Sequence, residues 1–212
     1  RLAEGNAALR AARRLIGRKA LSPVELLDAC IARIEAVNPA VNAVTATDFQ
    51  RARATAKAAE AAVMSGGELG PLHGLPIGIK DLLETKDFLT EMGCEAFKGN
   101  FPKRDNAAVW ALREAGAIIL GKTNLSQWEN FRSNDSMSGW SALGGQVRNP
   151  HMLDRNACGS SSGSGAAAAA SLAAGTVGTE TNGSIICPSN VNGIVGFKPT
   201  VGLVAQDFII PI

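Results

Sequence analysis

The spacing of apolar residues in the first third of the chain is that of helices. Leucine and isoleucine recur at helical intervals between arginines over residues 7–19, which predicts an amphipathic helix with a solvated basic face. Residues 22–25 form a capping box with proline at the first helical position, so a second helix should begin there and end before Asn38. A short strand over residues 41–45 and an alanine-rich helix over 48–64 should follow.

Beyond residue 70 the pattern changes to short apolar segments that alternate with helical ones. The predicted elements are strands over residues 75–80, 117–120, 176–179 and 194–197, and helices over residues 105–115, 124–131 and 162–174. Such alternation is typical of an α/β domain with a largely parallel sheet. We therefore expect residues 1–212 to form a single domain, with a mixed, largely parallel central sheet flanked by helices.

Composition narrows the classes of partner. Lys and Arg number 21 against 19 Asp and Glu, a near balance that argues against nucleic acid as the main partner. The apolar stretch over residues 163–177 is mostly Ala and Gly and is too short to span a membrane, so no membrane partner is expected. We predict a cytoplasmic protein. Because the chain opens on Arg1 rather than Met, removal of a leader segment stays open as an alternative. The apolar run over residues 208–212 indicates a fragment.

The cysteines and histidines predict neither a metal site nor a histidine-based triad. The cysteines are far apart with no CxxC pattern, and the chain has only two histidines. Reduced thiols are therefore expected at all four cysteines, which are Cys30, Cys94, Cys158 and Cys187. Neither histidine stands in a recognisable triad context, so a nucleophile here would need another base.

Residues 116–123 match the P-loop pattern GxxxxGK[ST], but their context does not favour phosphate binding. A phosphate-binding loop needs a strand before the first glycine and a flexible loop between the two glycines. Here a predicted helix precedes Gly116, and the spacer is itself the predicted strand, so its amides would be used in the sheet.

Three segments carry candidate chemistry. Lys80 ends an apolar strand, where burial would lower its pKa, although that segment alone favours a surface lysine at a strand end. Residues 158–165 are a Ser/Gly run that leads into a helix, and taken alone they could be an anion-binding helix start or, as is usual for such runs, a flexible loop. Residues 178–185 break a strand into a tight turn that presents Ser184, as suits a nucleophile backed by free backbone amides.

Together the three segments resemble the amidase signature family of Ser–Ser–Lys hydrolases, from about Ser22 to the end of the chain. The resemblance implies that Ser184 is the nucleophile, that Ser160 is the bridging serine after a cis peptide bond, and that Lys80 is the catalytic lysine. It also implies an oxyanion hole formed by backbone N–H groups, those of Thr181, Asn182, Gly183 and Ser184.

Residues 121–150, together with Cys158 and Cys187, look most like the peptide amidase branch, whose members remove the C-terminal amide of peptides. Asn134, Asp135 and Ser136 would line the substrate pocket, or they merely cap turns. Asn182 stands where that branch has an acidic residue, and asparagine tolerates a left-handed backbone. Ile186 stands where many members have arginine, which favours a neutral amide. The family's domain also continues well past residue 212.

The resemblance implies release of ammonia through an acyl-enzyme, with no cofactor and no metal. Lys80 could act as the base only when neutral, so burial must lower its pKa from about 10.4 towards neutrality. The expected partners are a small amide or peptide-amide substrate and the missing C-terminal part of the same protein. Two alternatives stay open, a truncated non-catalytic binding module and an amidotransferase subunit that passes ammonia to another enzyme.

Overall fold

The computed structural model describes residues 2–131 and 133–210. The α-helices are α1 Leu2–Gly17, α2 Pro23–Val41, α3 Phe49–Ser65, α4 Ala107–Glu114, α5 Ser162–Ala169 and α6 Ile186–Val191. The strands are β1 Val44–Thr47, β2 Pro76–Lys80, β3 Ile118–Thr123, β4 Trp140–Ser141, β5 Gly145–Gln146, β6 Arg148–Asn149, β7 Met152–Asn156 and β8 Gly175–Val177. Two 3₁₀ turns cover Glu95–Phe97 and Gln127–Asn130.

A four-stranded mixed sheet lies at the centre, in the order β1-β3-β2-β8. Strands β2, β3 and β8 are parallel, and β1 runs antiparallel to β3 at one edge. The expected α/β architecture is thus confirmed. Because the three parallel strands end at one side of the sheet, the segments that follow Lys80, Thr123 and Val177 emerge together, which is where sites form in such sheets.

Helices cover both faces of the sheet and give it two apolar cores. Successive side chains of β3 point to opposite faces, as in any strand. Ile118 and Leu120 pack in the core that contains α2, α3 and α5, whereas Ile119 packs in the core that contains Ile16 and Val109 of α1 and α4. Within the described part of the chain, no helix has both the length and the hydropathy needed to cross a bilayer.

Helix α2 begins as predicted but ends later. The capping box at Ser22 is present, with its hydroxyl accepting from the N–H groups of Val24 and Glu25. The predicted stop before Asn38 is wrong, since the helix continues through Pro39 to Val41. Asn42 then takes the left-handed conformation (φ 57°) and its N–H donates to the Asn38 carbonyl, which ends the helix one turn later than the proline suggested.

Three further predictions from the pattern need correction. Helix α5 ends at Ala169 rather than 174, and the predicted strand over residues 194–197 has no regular structure. The predicted helix over residues 124–131 is a short 3₁₀ turn instead, because three consecutive residues are left-handed, namely Trp128 (φ 52°), Glu129 (φ 52°) and Asn130 (φ 67°). A left-handed residue other than glycine costs about 1–2 kcal/mol, so contacts elsewhere must hold this turn.

Candidate active site

Lys80 and Ser160 meet beyond the carboxyl ends of the parallel strands. Lys80 is the last residue of β2 and its side chain is fully buried. Its Nζ lies 2.8 Å from Ser160 Oγ, in the loop just before α5. The peptide bond between Gly159 and Ser160 is cis, as the family resemblance implied. Two of the three residues expected to carry the chemistry are therefore in direct hydrogen-bond contact.

The turn after β8 brings Ser184 against the same serine-rich loop. The buried Ser184 accepts a backbone hydrogen bond from Ser161 N–H at 3.1 Å. The Ser161 hydroxyl donates to the Thr179 carbonyl at 3.0 Å and accepts from Thr179 N–H at 3.1 Å. These bonds fix the predicted nucleophile's turn to the loop that carries Ser160. The left-handed residue of the turn is Gly183 (φ 79°) rather than Asn182.

A carboxylate that the sequence pattern did not reveal organises this turn. Glu180 Oε2 accepts from the N–H groups of Ile185 at 2.7 Å and Ile186 at 2.9 Å, at the start of α6. Partial burial raises the pKa of Glu180, but hydrogen bonds from Ile186, Ile185 and Gly183 outweigh it and hold the pKa below its usual range. The Gly183 N–H is one of the predicted oxyanion-hole donors. Because it also hydrogen-bonds the Glu180 carboxylate, Glu180 would compete with an oxyanion for this donor.

The expectation of reduced thiols is wrong for two of the cysteines. Cys158 and Cys187 form a disulfide, so a covalent bond joins the segment before Ser160 to the segment after Ser184. Disulfides are typical of oxidising compartments. Cys30 and Cys94 are free and buried, as expected.

Backbones approach one another closely around the serine-rich loop. A Cβ added to Gly163 would lie 2.5 Å from the backbone N and O of Asn124 and closer still to the Ala43 carbonyl. A Cβ at Gly178 would lie 2.6 Å from Ser161 Oγ. The glycines of these segments are thus required by packing, and they allow α5 to lie directly against the end of β3.

Glu129 is the most important residue that sequence reasoning missed. Its Oε1 lies 2.6 Å from Lys80 Nζ, and it accepts from Thr179 Oγ1 at 2.6 Å and from Ser160 Oγ at 3.2 Å. The side chain is 5% exposed. It was missed because residues 124–131 have helical spacing, whereas the left-handed turn directs this side chain to the end of β2.

Burial and this carboxylate have opposite effects on the lysine. Burial lowers the pKa of Lys80 to about 8, although the Glu129 carboxylate raises it. Burial likewise raises the pKa of Glu129, but the adjacent Lys80 ammonium outweighs that effect and holds the pKa below its usual range. Near neutral pH the pair is therefore a buried ammonium and a carboxylate, and the lysine loses its proton far more easily than one in water.

The family of the chain follows from its similarity to known proteins. The family model described as Amidase matches residues 25–212. The chain belongs to the amidase family. A peptide amidase from Stenotrophomonas maltophilia has the same fold, with a TM-score of 0.92 and 45% identity over 96% of this chain and 42% of that one.

Curated relatives fall into two kinds. A putative amidase of Arthroderma benhamiae is 46% identical over 86% of this chain and 31% of its own length. A subunit of the glutamyl-tRNA(Gln) amidotransferase of a Roseiflexus species is 42% identical over 92% of this chain and 39% of its own length. The chain thus spans between about a third and two fifths of the length of these relatives.

The three residues expected to line a substrate pocket lie in one loop at or near the surface. Asn134 and Asp135 are exposed and Ser136 is half-buried, in the loop that follows the Glu129 turn. Within residues 2–131 and 133–210, no hydrogen bond joins these side chains to Lys80. Ile186 is 47% exposed at the first turn of α6, two residues beyond Ser184.

The segment that matches the P-loop pattern is a strand, and its lysine forms hydrogen bonds inside the protein. Gly121 lies within β3 between β1 and β2, so its backbone belongs to the sheet. Lys122 is fully buried, donates to the Leu83 carbonyl at 2.9 Å and to Thr90 Oγ1 at 2.6 Å, and pairs with Asp81 at 3.2 Å. In the described part of the chain no cluster of three or more His, Cys, Asp or Glu side chains is placed to hold a metal ion.

Proposed function

We propose that the protein hydrolyses a neutral carboxamide with release of ammonia, through an acyl-enzyme on Ser184. The observation that carries the proposal is the buried Lys80, whose pKa is about 8 and whose Nζ lies 2.8 Å from Ser160 Oγ. The loop of Ser160 is hydrogen-bonded to the turn of Ser184 through Ser161. A base with a pKa near the working pH, in contact with a serine hydroxyl on a loop that is bonded to the turn of a second serine, suits acyl transfer without histidine.

The reaction proceeds by a two-hydroxyl proton relay. Ser160 Oγ accepts the proton of Ser184 Oγ as it donates its own to the neutral Lys80 Nζ, while Ser184 Oγ attacks the carboxamide carbon. Backbone N–H groups within residues 181–184 stabilise the resulting oxyanion, and loss of one such donor typically costs about 10²–10³ in rate. The relay then runs backwards to protonate the nitrogen, which leaves as ammonia, and water hydrolyses the ester.

A C-terminal peptide amide is the substrate that we propose. The 45% identity to a peptide amidase supports this class. The exposed apolar Ile186 near the nucleophile offers no cation to a substrate carboxylate, which favours a neutral chain end. Asn134, Asp135 and Ser136 are the proposed polar residues of the pocket rim, and the C-terminal part of the family's domain is the proposed remainder of the pocket.

Labelling of the protein with a fluorophosphonate tests this function. The wild-type protein should gain one adduct by intact mass, which peptide mapping places on Ser184. Ser184→Ala and Lys80→Met should gain none, whereas Ser65→Ala, which removes an exposed hydroxyl at the end of α3, should label like the wild type. If Ser184 labels, unlabelled wild-type protein would then be assayed for ammonia release from peptide amides. Equal labelling of Ser184→Ala and wild type would refute the assignment of the nucleophile.

An ammonia-supplying amidotransferase subunit is the second candidate. The 42% identity to such a subunit from a Roseiflexus species favours it. The two functions differ in substrate, since an amidotransferase subunit would release ammonia from free glutamine and pass it to a partner. Ammonia release from glutamine that exceeds release from peptide amides would select this candidate over the first.

A further inference from the structure

The Lys80 ammonium has a hydrogen-bond acceptor for each of its three protons. Nζ donates to Glu129 Oε1 at 2.6 Å, to Thr179 Oγ1 at 2.7 Å and to Ser160 Oγ at 2.8 Å. An ammonium group has three donors and no lone pair. These three acceptors hold the lysine in the protonated form. The proposed mechanism needs the neutral amine, with its lone pair towards Ser160, so Lys80 must first lose one proton.

The loss of that proton leaves the remaining contacts in place. A neutral Lys80 has two N–H donors, which match Glu129 and Thr179, and one lone pair, which then faces Ser160 Oγ. Glu129 therefore orients the amine for proton transfer. Its negative charge also opposes the deprotonation, because a carboxylate beside an amine favours the ammonium.

Lys80 and Glu129 are the charged groups that face each other at this point. Lys80 is presented by β2, and Glu129 by the turn before residue 131. The other two partners, Ser160 from the loop before α5 and Thr179 from the segment after β8, are neutral hydroxyls. The protonation of Lys80 is therefore set by burial and by a single counter-ion.

The turn that carries Glu129 is anchored on both sides. The Trp128 ring packs edge-on against Phe97, with centroids 5.8 Å apart, and Asn130 Nδ2 donates to Ser138 Oγ at 2.9 Å. These contacts hold three left-handed residues in a row, a conformation that leaves the Glu129 side chain directed at the lysine. The carboxylate is thus placed by the fold and is not a mobile surface group.

We propose that Glu129 is a positioning residue that orients Lys80 and, by holding it as the ammonium, sets the lower pH limit of the amidase reaction. The inference rests on the proposed function, in which the neutral Lys80 is the base. It assigns to Glu129 an effect on the pH profile that a purely structural residue would not have. The three hydrogen bonds of the Lys80 ammonium carry the proposal, and the rise in the pKa of Lys80 caused by Glu129 is consistent with them.

The test compares Glu129→Gln with the wild type by two readouts over pH 5.5–10. The amide keeps the size and an acceptor oxygen but removes the charge. The first readout is the ¹³Cε shift of Lys80 in lysine-labelled protein, assigned by its loss in Lys80→Met. The second is the rate of fluorophosphonate labelling at Ser184. Glu84→Gln is the matched control, since Glu84 is paired with Arg104 at the surface, 2.9 Å apart.

In Glu129→Gln we expect the midpoint of the Lys80 titration and the midpoint of the labelling profile each to fall by about one pH unit or more. At a fixed pH below the midpoints of both proteins, the variant should then label about tenfold faster than the wild type. Glu84→Gln should match the wild type. A second variant, Glu129→Asp, keeps the charge and should keep a midpoint closer to that of the wild type. A Lys80 midpoint that is unchanged or raised in Glu129→Gln, with both folded by circular dichroism, would overturn the proposal.

The two readouts also separate this inference from the proposed function. If the Lys80 midpoint falls but Ser184 labels in neither protein at any pH, the counter-ion role stands and the hydrolase assignment fails, together with the link to activity. If Ser184 labels with one midpoint in both proteins, the hydrolase assignment stands and the role of Glu129 fails. Labelling that is uniformly slower in Glu129→Gln at every pH would reduce Glu129 to a structural residue.

Discussion

Replacing Lys122 by methionine should destabilise the fold strongly, because it removes one partner of a buried ion pair. Nζ of Lys122 lies 3.2 Å from Asp81 Oδ1, and the two side chains are 0% and 9% exposed. At that distance and an effective dielectric constant of about 20, the attraction is about 5 kcal/mol. Loss of one partner also removes the donor to Thr90 Oγ1, whereas the Leu83 carbonyl keeps its hydrogen bond from Thr85 Oγ1 at 2.9 Å.

Breaking a buried pair from one side typically costs about 3–5 kcal/mol, and we expect Lys122→Met to lower the free energy of unfolding by that amount. The double variant Asp81→Asn/Lys122→Met should lose less than the sum of the single variants, because no buried charge then lacks a partner. Urea unfolding measures the free energy of unfolding of each variant. If the dependence of that free energy on urea concentration has the same slope in all variants, a shift of the midpoint reports a change in stability.

A control variant removes a salt bridge of the same type from the surface. Arg53→Met breaks the exposed pair with Asp28, whose atoms lie 2.8 Å apart, and should cost no more than about 1 kcal/mol, since exposed pairs contribute little. The reasoning would be refuted if Lys122→Met lowered the free energy of unfolding by less than about 1 kcal/mol. It would also be refuted if the effects of the two single substitutions at Asp81 and Lys122 simply added in the double variant. Either result would mean that water or a shifted side chain compensates for the missing ammonium.

Two further predictions concern the site itself. As the pH rises from 8 to 10.5, the wild type should gain up to about 3 kcal/mol of stability relative to Lys80→Met. The reason is that Lys80 has a pKa of about 8 in the folded protein and 10.5 in the unfolded chain, so over this range the unfolded chain holds a proton that the folded protein has lost. A difference in urea midpoints that does not change with pH would contradict this. Reduction of the Cys158–Cys187 disulfide, which spans 29 residues, should cost about 3–4 kcal/mol and slow the labelling of Ser184. Thermal melts with and without dithiothreitol, with Cys158→Ser/Cys187→Ser for comparison, measure that loss, and equal melting temperatures in all three would argue against it.

The parts of the site that sequence could predict are those encoded locally. Lys80 ends an apolar strand, and Ser160 and Ser184 lie in glycine-rich turns at the ends of predicted elements, so the topology of a parallel sheet brings their segments to one edge. Their catalytic roles stay predictions until Ser184 is labelled. The two apolar faces of β3 were equally predictable, because Ile118 and Ile119 alternate in an uninterrupted apolar run.

The parts that could not be predicted depend on contacts between distant residues. Nothing in the local pattern around Glu129 signals a left-handed backbone, since the same apolar spacing fits a helix. The pairing of Cys158 with Cys187 depends on how the two loops converge, and the spacing of the cysteines carries no such information. Asn42 likewise extends α2 past Pro39 through a capping bond that propensity rules cannot anticipate.

The close backbone contacts at Gly163 allow no side chain at that position, whereas other parts of the molecule have room for substitutions. Even a methyl group there would overlap with the Asn124 backbone, so this position of the serine-rich segment requires glycine. The loop after Glu129 is different, since Phe131 is 80% and Met137 56% exposed and neither fills the core. Substitutions in this loop would therefore alter the rim of the proposed pocket and leave undisturbed the backbone contacts that place the segments of the proposed relay.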